Sequence, residues 1–207
     1  SLATSNRDTK PVLDPSASEA RVPTSSLSES VKKGVNVLMD AASFDMDLEY
    51  KTIYNFIRSK FKKVSVEDAK EISTHLVENG KKHGMDPKFA AALMYRESGY
   101  NKEAVSRTGA KGLGQIKDFN YKALKIKDPF NIQQNVSGTV AYLKEKMGHW
   151  TDRSNQTSLA LASYYKGYTG VKRDGEKFDK ATSGYVNDIL KYYDEIKAFQ
   201  KNSQIEP

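Results

Sequence analysis

From residue 65 onward, apolar residues recur at intervals of three and four. Val66, Ala69, Ile72, Leu76 and Val77 form one stripe behind Ser65, and Asp68 stands three positions after that serine in a capping-box pattern. This helix is expected to stop between Gly80 and Gly84, where a glycine accepts the left-handed conformation. Phe89, Ala90, Leu93 and Met94 carry the period on after Pro87, as far as Glu97. Ile132, Val136, Val140, Leu143 and Met147 make a third stripe. Leu159, Leu161, Ala162 and Tyr165 make a short fourth, and Val186, Ile189, Leu190, Tyr193 and Ile196 a fifth. Pro87 and Pro129 each follow an Asp, a pattern that predicts a helix start: the carboxylate accepts unpaired backbone N–H groups and proline has none to lose. Alternation with a period of two is scarce. The pattern predicts a predominantly α-helical body with turns at Gly109–Gly112 and Gly167–Gly170.

The front of the chain is different. Residues 1–43 contain no Phe, Trp or Tyr, and residues 1–30 are rich in Ser and Thr and hold Pro11, Pro15 and Pro23. Such a segment buries too little apolar surface to offset the entropy of ordering it, so 1–43 is expected to be a flexible, disordered arm and 44–200 the folded domain. The chain opens on Ser, without a charged-then-apolar leader, which reads as a processed or trimmed product and is compatible with loss of an export signal from its front.

Composition narrows the chemistry. Cysteine is absent, which excludes thiolate catalysis, disulfides and Cys-containing zinc sites. His75, His83 and His149 are the only histidines; no pair has the spacing of a zinc hydrolase, and no G-x-S-x-G is present to hold a nucleophilic serine. No run approaches the roughly 18 apolar residues that a membrane span needs. With 33 basic against 26 acidic residues the net charge is +7, which suits an anionic polymer or surface as well as an ordinary mixed-charge exterior. The densest basic run, Lys60-Phe61-Lys62-Lys63, is short and accompanied by no nucleic-acid recognition motif, so no nucleic-acid partner is expected.

Glu97 stands out on local physics. The pattern puts it in the last turn of an apolar helix, just before Ser98-Gly99. There the negative end of the helix dipole and apolar neighbours both oppose ionisation and push a carboxyl pKa up. An acid still protonated near neutral pH is what glycosidic-bond cleavage requires, because the leaving oxygen must receive a proton. Most glutamates at helix ends are solvated surface residues, and position alone does not decide the matter.

The residues that follow do more. From Glu97-Ser98 the chain runs through a polar loop to Ala104-Val105-Ser106 and then Gly109-Ala110-Lys111-Gly112-Leu113-Gly114-Gln115-Ile116. Asp128-Pro129-Phe130-Asn131-Ile132 comes next, with Asn135, Gly138 and Tyr142-Leu143. Leu159-Ala160-Leu161-Ala162-Ser163-Tyr164-Tyr165-Lys166-Gly167 and Gly184-Tyr185-Val186 close the series. These blocks, in this order over roughly residues 65–195, resemble the catalytic domain of soluble lytic transglycosylases.

The resemblance implies a lysozyme-like helical domain with a glycan-binding cleft, acting on the β-1,4 bond between N-acetylmuramic acid and N-acetylglucosamine in peptidoglycan. It implies one Glu as acid and then base, assistance from the sugar's N-acetyl oxygen, and closure of a 1,6-anhydro ring by the 6-hydroxyl, with no cofactor and no metal. Glu97 takes the acid/base role, Ser106 and Gln115 hydrogen-bond sugar oxygens, and Tyr164 donates toward Glu97 or the acetamido group. Tyr185 and Ser98 complete the implied substrate-binding set, and Tyr100 and Tyr168 are candidates for stacking on sugar faces. Asp118, Asp152 and Asp174 are loop carboxylates available as a second acid, which this chemistry does not need.

Gly114 stands where the family usually has Met, Lys117-Asp118 where Met-Pro is common, and Tyr165-Lys166 in place of the frequent Asn-Ala. A hydrolytic lysozyme similar to the goose type and a non-catalytic wall-binding or secretion-associated protein stay open as alternatives. The resemblance further implies an extracytoplasmic or phage-associated location, with peptidoglycan strands as partner. A secretion or phage assembly partner is compatible with this, and a monomer is expected.

If the positive charge contributes to holding an anionic wall, binding to purified sacculi should weaken as salt rises, because exposed charges are screened over roughly 8 Å at physiological ionic strength. Co-sedimentation across a salt series measures this; binding that does not respond to salt would make the +7 incidental.

Overall fold

The computed structural model describes residues 34–203, with side chains described through residue 200. Among the described residues the architecture is helical: α1 (Met46–Lys60), α2 (Val66–His83), α3 (Pro87–Ser98), α4 (Tyr121–Leu124), α5 (Ile132–Gly148), α6 (Gln156–Lys166), α7 (Tyr168–Arg173) and α8 (Lys180–Ser203), with short 3-10 turns at Ala41–Ser43 and Asp118–Asn120. No strand forms among them. Only isolated bridges occur, two of them inside the 105–116 loop.

Local chemistry sets most of the helix ends. Ser65 accepts the Asp68 N–H at the start of α2, and Gly84 ends it in the left-handed region at φ 60°. The carboxylate of Asp68 pairs instead with Lys102 at 2.8 Å, tying α2 to the loop beyond α3. Asp86 caps α3 with Pro87 at its first turn, as expected. Asp128-Pro129 does not start α5, however. Asp128 accepts the Phe130 N–H in a turn, and Asn131 is the cap three residues later. The Asp-Pro pair sets a turn at both places; only the residues that follow decide whether a helix begins there. Gly167 lies at φ 84° and breaks the chain between α6 and α7, whereas Gly170 lies inside α7 where a turn was expected.

The centre of the domain is α3. Phe89 through Met94 are each exposed by 1% or less, so this stretch of the helix is apolar on every side and has no solvent face. It packs most heavily against α8, and also meets α2, α1 and α5. Its run of Ala90, Ala91 and Ala92 gives neighbouring helices room to approach. The sequence pattern passes over α1, although Ile53, Phe56 and Ile57 are completely buried from it, because tyrosines and charges dilute its stripe.

Residues 34–43 correct the expected boundary at 44. Val37 is 1% exposed within the main core, Leu38 forms an antiparallel bridge with Met85, and the Asp86 N–H donates to the Val37 carbonyl at 2.8 Å. Val35 accepts the Thr157 hydroxyl on α6. One buried valine and backbone pairing anchor this stretch, and neither needs an aromatic residue. The rest of the expected arm, residues 1–33, lies outside the described residues.

A buried ionic group joins three helices. Lys88 of α3 contacts Glu49 of α1 at 2.5 Å and Asp86 at 3.1 Å, all three nearly inaccessible, and Tyr193 of α8 donates to Asp86 at 2.7 Å. Burial raises the Glu49 pKa while Lys88 opposes the rise. Lys88→Ala should therefore cost about 3–5 kcal/mol near neutral pH by leaving carboxylates buried and unpaired. The loss should shrink at lower pH as Glu49, its pKa already raised by burial, protonates. Urea unfolding at pH 5 and 7.5 measures both, and a loss that does not change with pH would argue for packing instead of charge.

Candidate active site

Glu97 is the penultimate residue of α3. Gly99, at φ 57°, closes the helix by donating its N–H to the Tyr95 carbonyl, so the chain turns away immediately after the acid. Because the preceding turns of α3 are fully buried, this last turn brings the carboxyl out at the edge of the core. Burial pushes the Glu97 pKa up to about 7; a hydrogen bond from Tyr185 and the charge of Arg96 partly oppose that rise. The Tyr185 hydroxyl donates to Glu97 Oε1 at 2.5 Å. The Tyr185 ring is 2% exposed, stacks on Tyr165 at 4.7 Å, and has the Arg96 guanidinium 5.5 Å from its centre. Burial beside the Glu97 charge holds the Tyr185 hydroxyl well above its ordinary pKa, so it remains a donor.

The loop after α3 forms the facing wall. Tyr100, in a left-handed conformation at φ 60°, inserts its ring into the core and donates its hydroxyl to the Ala91 carbonyl at 2.9 Å. Asn135 of α5, 1% exposed, fixes the loop's far end: its Oδ1 accepts the Gly114 N–H at 2.8 Å, and its Nδ2 donates to Pro129 and Lys111 carbonyls. A Cβ on Gly112 would overlap Asn135 and the Pro129 carbonyl, so the close approach requires glycine. At Gly114 a Cβ would collide with the Thr139 hydroxyl, which accounts for glycine at a position where the family pattern has a larger residue.

Glu97, Ser106, Gln115 and Tyr164 line one cleft of about 510 Å³. Glu97 is the only carboxylate among the described residues that line it. Gln115 spends its amide N–H groups on the Ala104 and Gly112 carbonyls at 3.1 and 2.9 Å, so its remaining polar atom is an acceptor oxygen. Ser106 accepts the Ala110 N–H at 3.0 Å and lies 3.2 Å from the Thr108 hydroxyl. Tyr164 donates to the Gly114 carbonyl at 2.7 Å. The donation to Glu97 expected of Tyr164 is made instead by Tyr185, which reaches the acid from behind and has almost no surface to offer a ligand.

Other candidates fall elsewhere. Ser98 lines a separate cavity and bonds the Leu113 and Met94 carbonyls at 2.8 and 3.2 Å, joining the end of α3 to the loop. Tyr100 is buried, and Tyr168 stacks on His149 at 4.4 Å. Asp152 pairs with Arg153, Asp174 pairs with Lys166 and Arg173, and neither they nor Asp118 line the cleft. Lys117, Tyr165 and Lys166, where the chain departs from the family pattern, do line the cleft; the sequence reading passed over Phe119 and Tyr142 as lining residues. It also gave Asn135 no role in the site, although a lone amide within an apolar helical stripe is a sign of a buried hydrogen-bonding duty.

Together, a helical body, a central helix enclosed from Phe89 to Met94 and a desolvated acid in its last turn beside a cleft of hydroxyl, amide and aromatic side chains define a lysozyme-like domain. The transglycosylase SLT domain family matches residues 75–186, more than half of the chain, and the chain belongs to that family. Membrane-bound lytic murein transglycosylase F of Desulfosudis oleivorans is 35% identical over 102 residues, covering 48% of this chain and 22% of that protein. Its counterpart in Vibrio parahaemolyticus is 34% identical over 105 residues, covering 49% of this chain and 20% of that one. The matched region is thus about a fifth of these relatives' length. The X-ray structure of an inactive mutant of lytic transglycosylase Slt from Pseudomonas aeruginosa covers 81% of this chain and 32% of its own, with a TM-score of 0.55 at 21% identity, which is a likeness of fold.

Two consequences of the Glu97 environment can be measured. A carboxyl whose pKa is about 7 when folded and about 4.5 when unfolded destabilises the fold once ionised. Glu97→Gln should therefore raise thermal stability above pH 7, by roughly 1–3 kcal/mol, and the gain should vanish below about pH 4.5. Tyr185→Phe removes a bond to the charged form, so carboxyl NMR titration should find the Glu97 pKa higher still; an unchanged value would show that the hydroxyl does not govern it.

Proposed function

We propose that this domain is a peptidoglycan lytic transglycosylase in which Glu97 is the single acid/base. The observation that carries the reading is that the cleft's only carboxylate among the described residues is desolvated enough to stay substantially protonated near pH 7. Glu97 protonates the glycosidic oxygen as the bond to the N-acetylmuramic acid C1 breaks, and the acetamido carbonyl oxygen closes on C1 from the other side. The carboxylate then takes the proton of the 6-hydroxyl as that oxygen attacks C1 and the acetamido oxygen leaves. Glu97 returns to its acid form and the product end is a 1,6-anhydro sugar.

Tyr185 is a positioning residue in this scheme. Its donated proton fixes the carboxyl rotamer and stabilises the charged intermediate form between the two proton transfers. The Gln115 oxygen suits the acetamido N–H or a sugar hydroxyl, and the Ser106 hydroxyl suits a sugar oxygen. Membership of the SLT family and relatives named as murein transglycosylases support the substrate class. They also support an extracytoplasmic site of action; among the described residues no helix is long and apolar enough to cross a membrane.

Glu97→Gln should lower turnover of sacculi by about 10²–10⁴-fold or more, since one residue serves both proton transfers. For the unaltered protein, kcat/KM should fall as pH rises through about 7, where the acid loses its proton. Digestion in heavy-oxygen water identifies the attacking group. Unlabelled anhydro ends, one water lighter than hydrolytic ends, support this mechanism. Labelled reducing ends would assign the same acid to lysozyme-type hydrolysis, and near-normal turnover by Glu97→Gln would remove it from the chemistry.

A further inference from the structure

Three residues at which the chain departs from the family pattern, Lys117, Tyr165 and Lys166, line the cleft that holds Glu97. Beside Lys117 lies Phe119, the most exposed large apolar side chain among the described residues at 75%. It sits in the middle of the 3-10 turn Asp118–Asn120, whose backbone is fixed by the Asn120 N–H donating to the Lys117 carbonyl at 3.0 Å and the Tyr121 N–H to that of Asp118. The ring is therefore presented from a hydrogen-bonded turn. Among the described residues it takes part in no aromatic pair and lies outside the core and the partly buried side chains packed against it, so core packing does not account for it. An apolar ring left in water inside the cleft that holds the candidate acid is informative in a way that a scattered surface leucine is not.

Its neighbours differ from it. Tyr165 is 45% exposed, but one face is occupied by Tyr185. Lys166 spends its ammonium on Asp174 and Asp179 at 2.6 and 3.0 Å. Lys117 is exposed and has no ion pair among the described residues. The cleft thus offers, side by side in the chain, one unoccupied aromatic face and one unpaired cation.

We propose that Phe119 and Lys117 form a subsite for the peptide-bearing sugar of the strand, Phe119 stacking on the apolar face of a pyranose ring and Lys117 pairing with a carboxylate of its peptide stem. This rests on the glycan-strand reading above. A pyranose presents a face of C–H groups that matches the negative face of an aromatic ring. A neutral chitin oligomer has such faces and no carboxylate, whereas a peptide-bearing strand has both. The two halves of the subsite therefore separate by substrate.

The test uses the full chain carrying Glu97→Gln, so that strands are bound without being cut, and measures affinity by calorimetry for a chitin tetramer and for a peptide-bearing glycan tetramer. Adding Phe119→Ala should weaken both by about threefold to tenfold. Adding Lys117→Gln should weaken only the peptide-bearing strand, by a factor that disappears at high salt. Unchanged thermal midpoints verify that both variants fold, as exposed positions should. Affinities within twofold for Phe119→Ala overturn the stacking role, and an equal or absent effect of Lys117→Gln on the two ligands overturns the carboxylate pairing. Binding of neither strand by the Glu97→Gln parent would instead overturn the glycan-strand reading, and the subsite with it.

Discussion

A helical stretch with no solvent face is the constraint on which the rest of this domain depends. From Phe89 to Met94 every residue of α3 is enclosed, so the helix is fixed in position by contacts on all sides. The enclosure ends after Met94, and the last turn that follows carries Glu97. Desolvation of the acid is thus a consequence of where the core stops, and its raised pKa follows from the same packing that stabilises the fold. The buried Lys88 group acts at the opposite end of the same helix, joining it to α1 and α8, and α8 also supplies Tyr185 to the acid.

The facing wall is built on a different principle. The loop from Tyr100 to Ile116 has little regular structure, and its backbone groups are satisfied by fixed polar partners and by glycines that permit close approach. Asn135 alone engages two of the loop's backbone groups, the Gly114 N–H and the Lys111 carbonyl, and Ser98 and Tyr164 bind the Leu113 and Gly114 carbonyls from α3 and α6. Ser98 thus acts on the loop instead of facing the cleft, and Tyr164 holds the loop while lining the cleft. With Gln115 the division occurs within one side chain: its nitrogen serves the loop and its oxygen remains.

The altered positions fall into two physical kinds. Gly114 is compensated inside the fold, where Thr139 occupies the space a side chain would need. Lys117 and Tyr165 are exposed in the cleft, where a change alters what the surface offers without disturbing packing. A departure of the first kind preserves the scaffold, and one of the second kind can change what it recognises.

Helical class, the start and stop of α2, the cap of α3 and the position of Glu97 on its last turn were legible from the sequence, because each depends on residues within a few positions of one another: a capping oxygen, a proline, a left-handed glycine, a stripe of period three and four. The resemblance brought Ser106, Gln115 and Tyr164 to the same cleft for a similar reason, since short motifs encode local loop geometry. Contacts between distant segments were not legible. That Tyr185, 88 positions from Glu97, is its hydrogen-bond donor, that Val37 belongs to the core, and that Ser98 and Tyr100 face away from the cleft were decided by packing. A tyrosine reads the same in sequence whether its hydroxyl meets a carbonyl, a carboxylate or a ligand. Only the tertiary structure determines which of these lies within 3 Å, because hydrogen bonds depend on distance and angle and side-chain type gives only capacity.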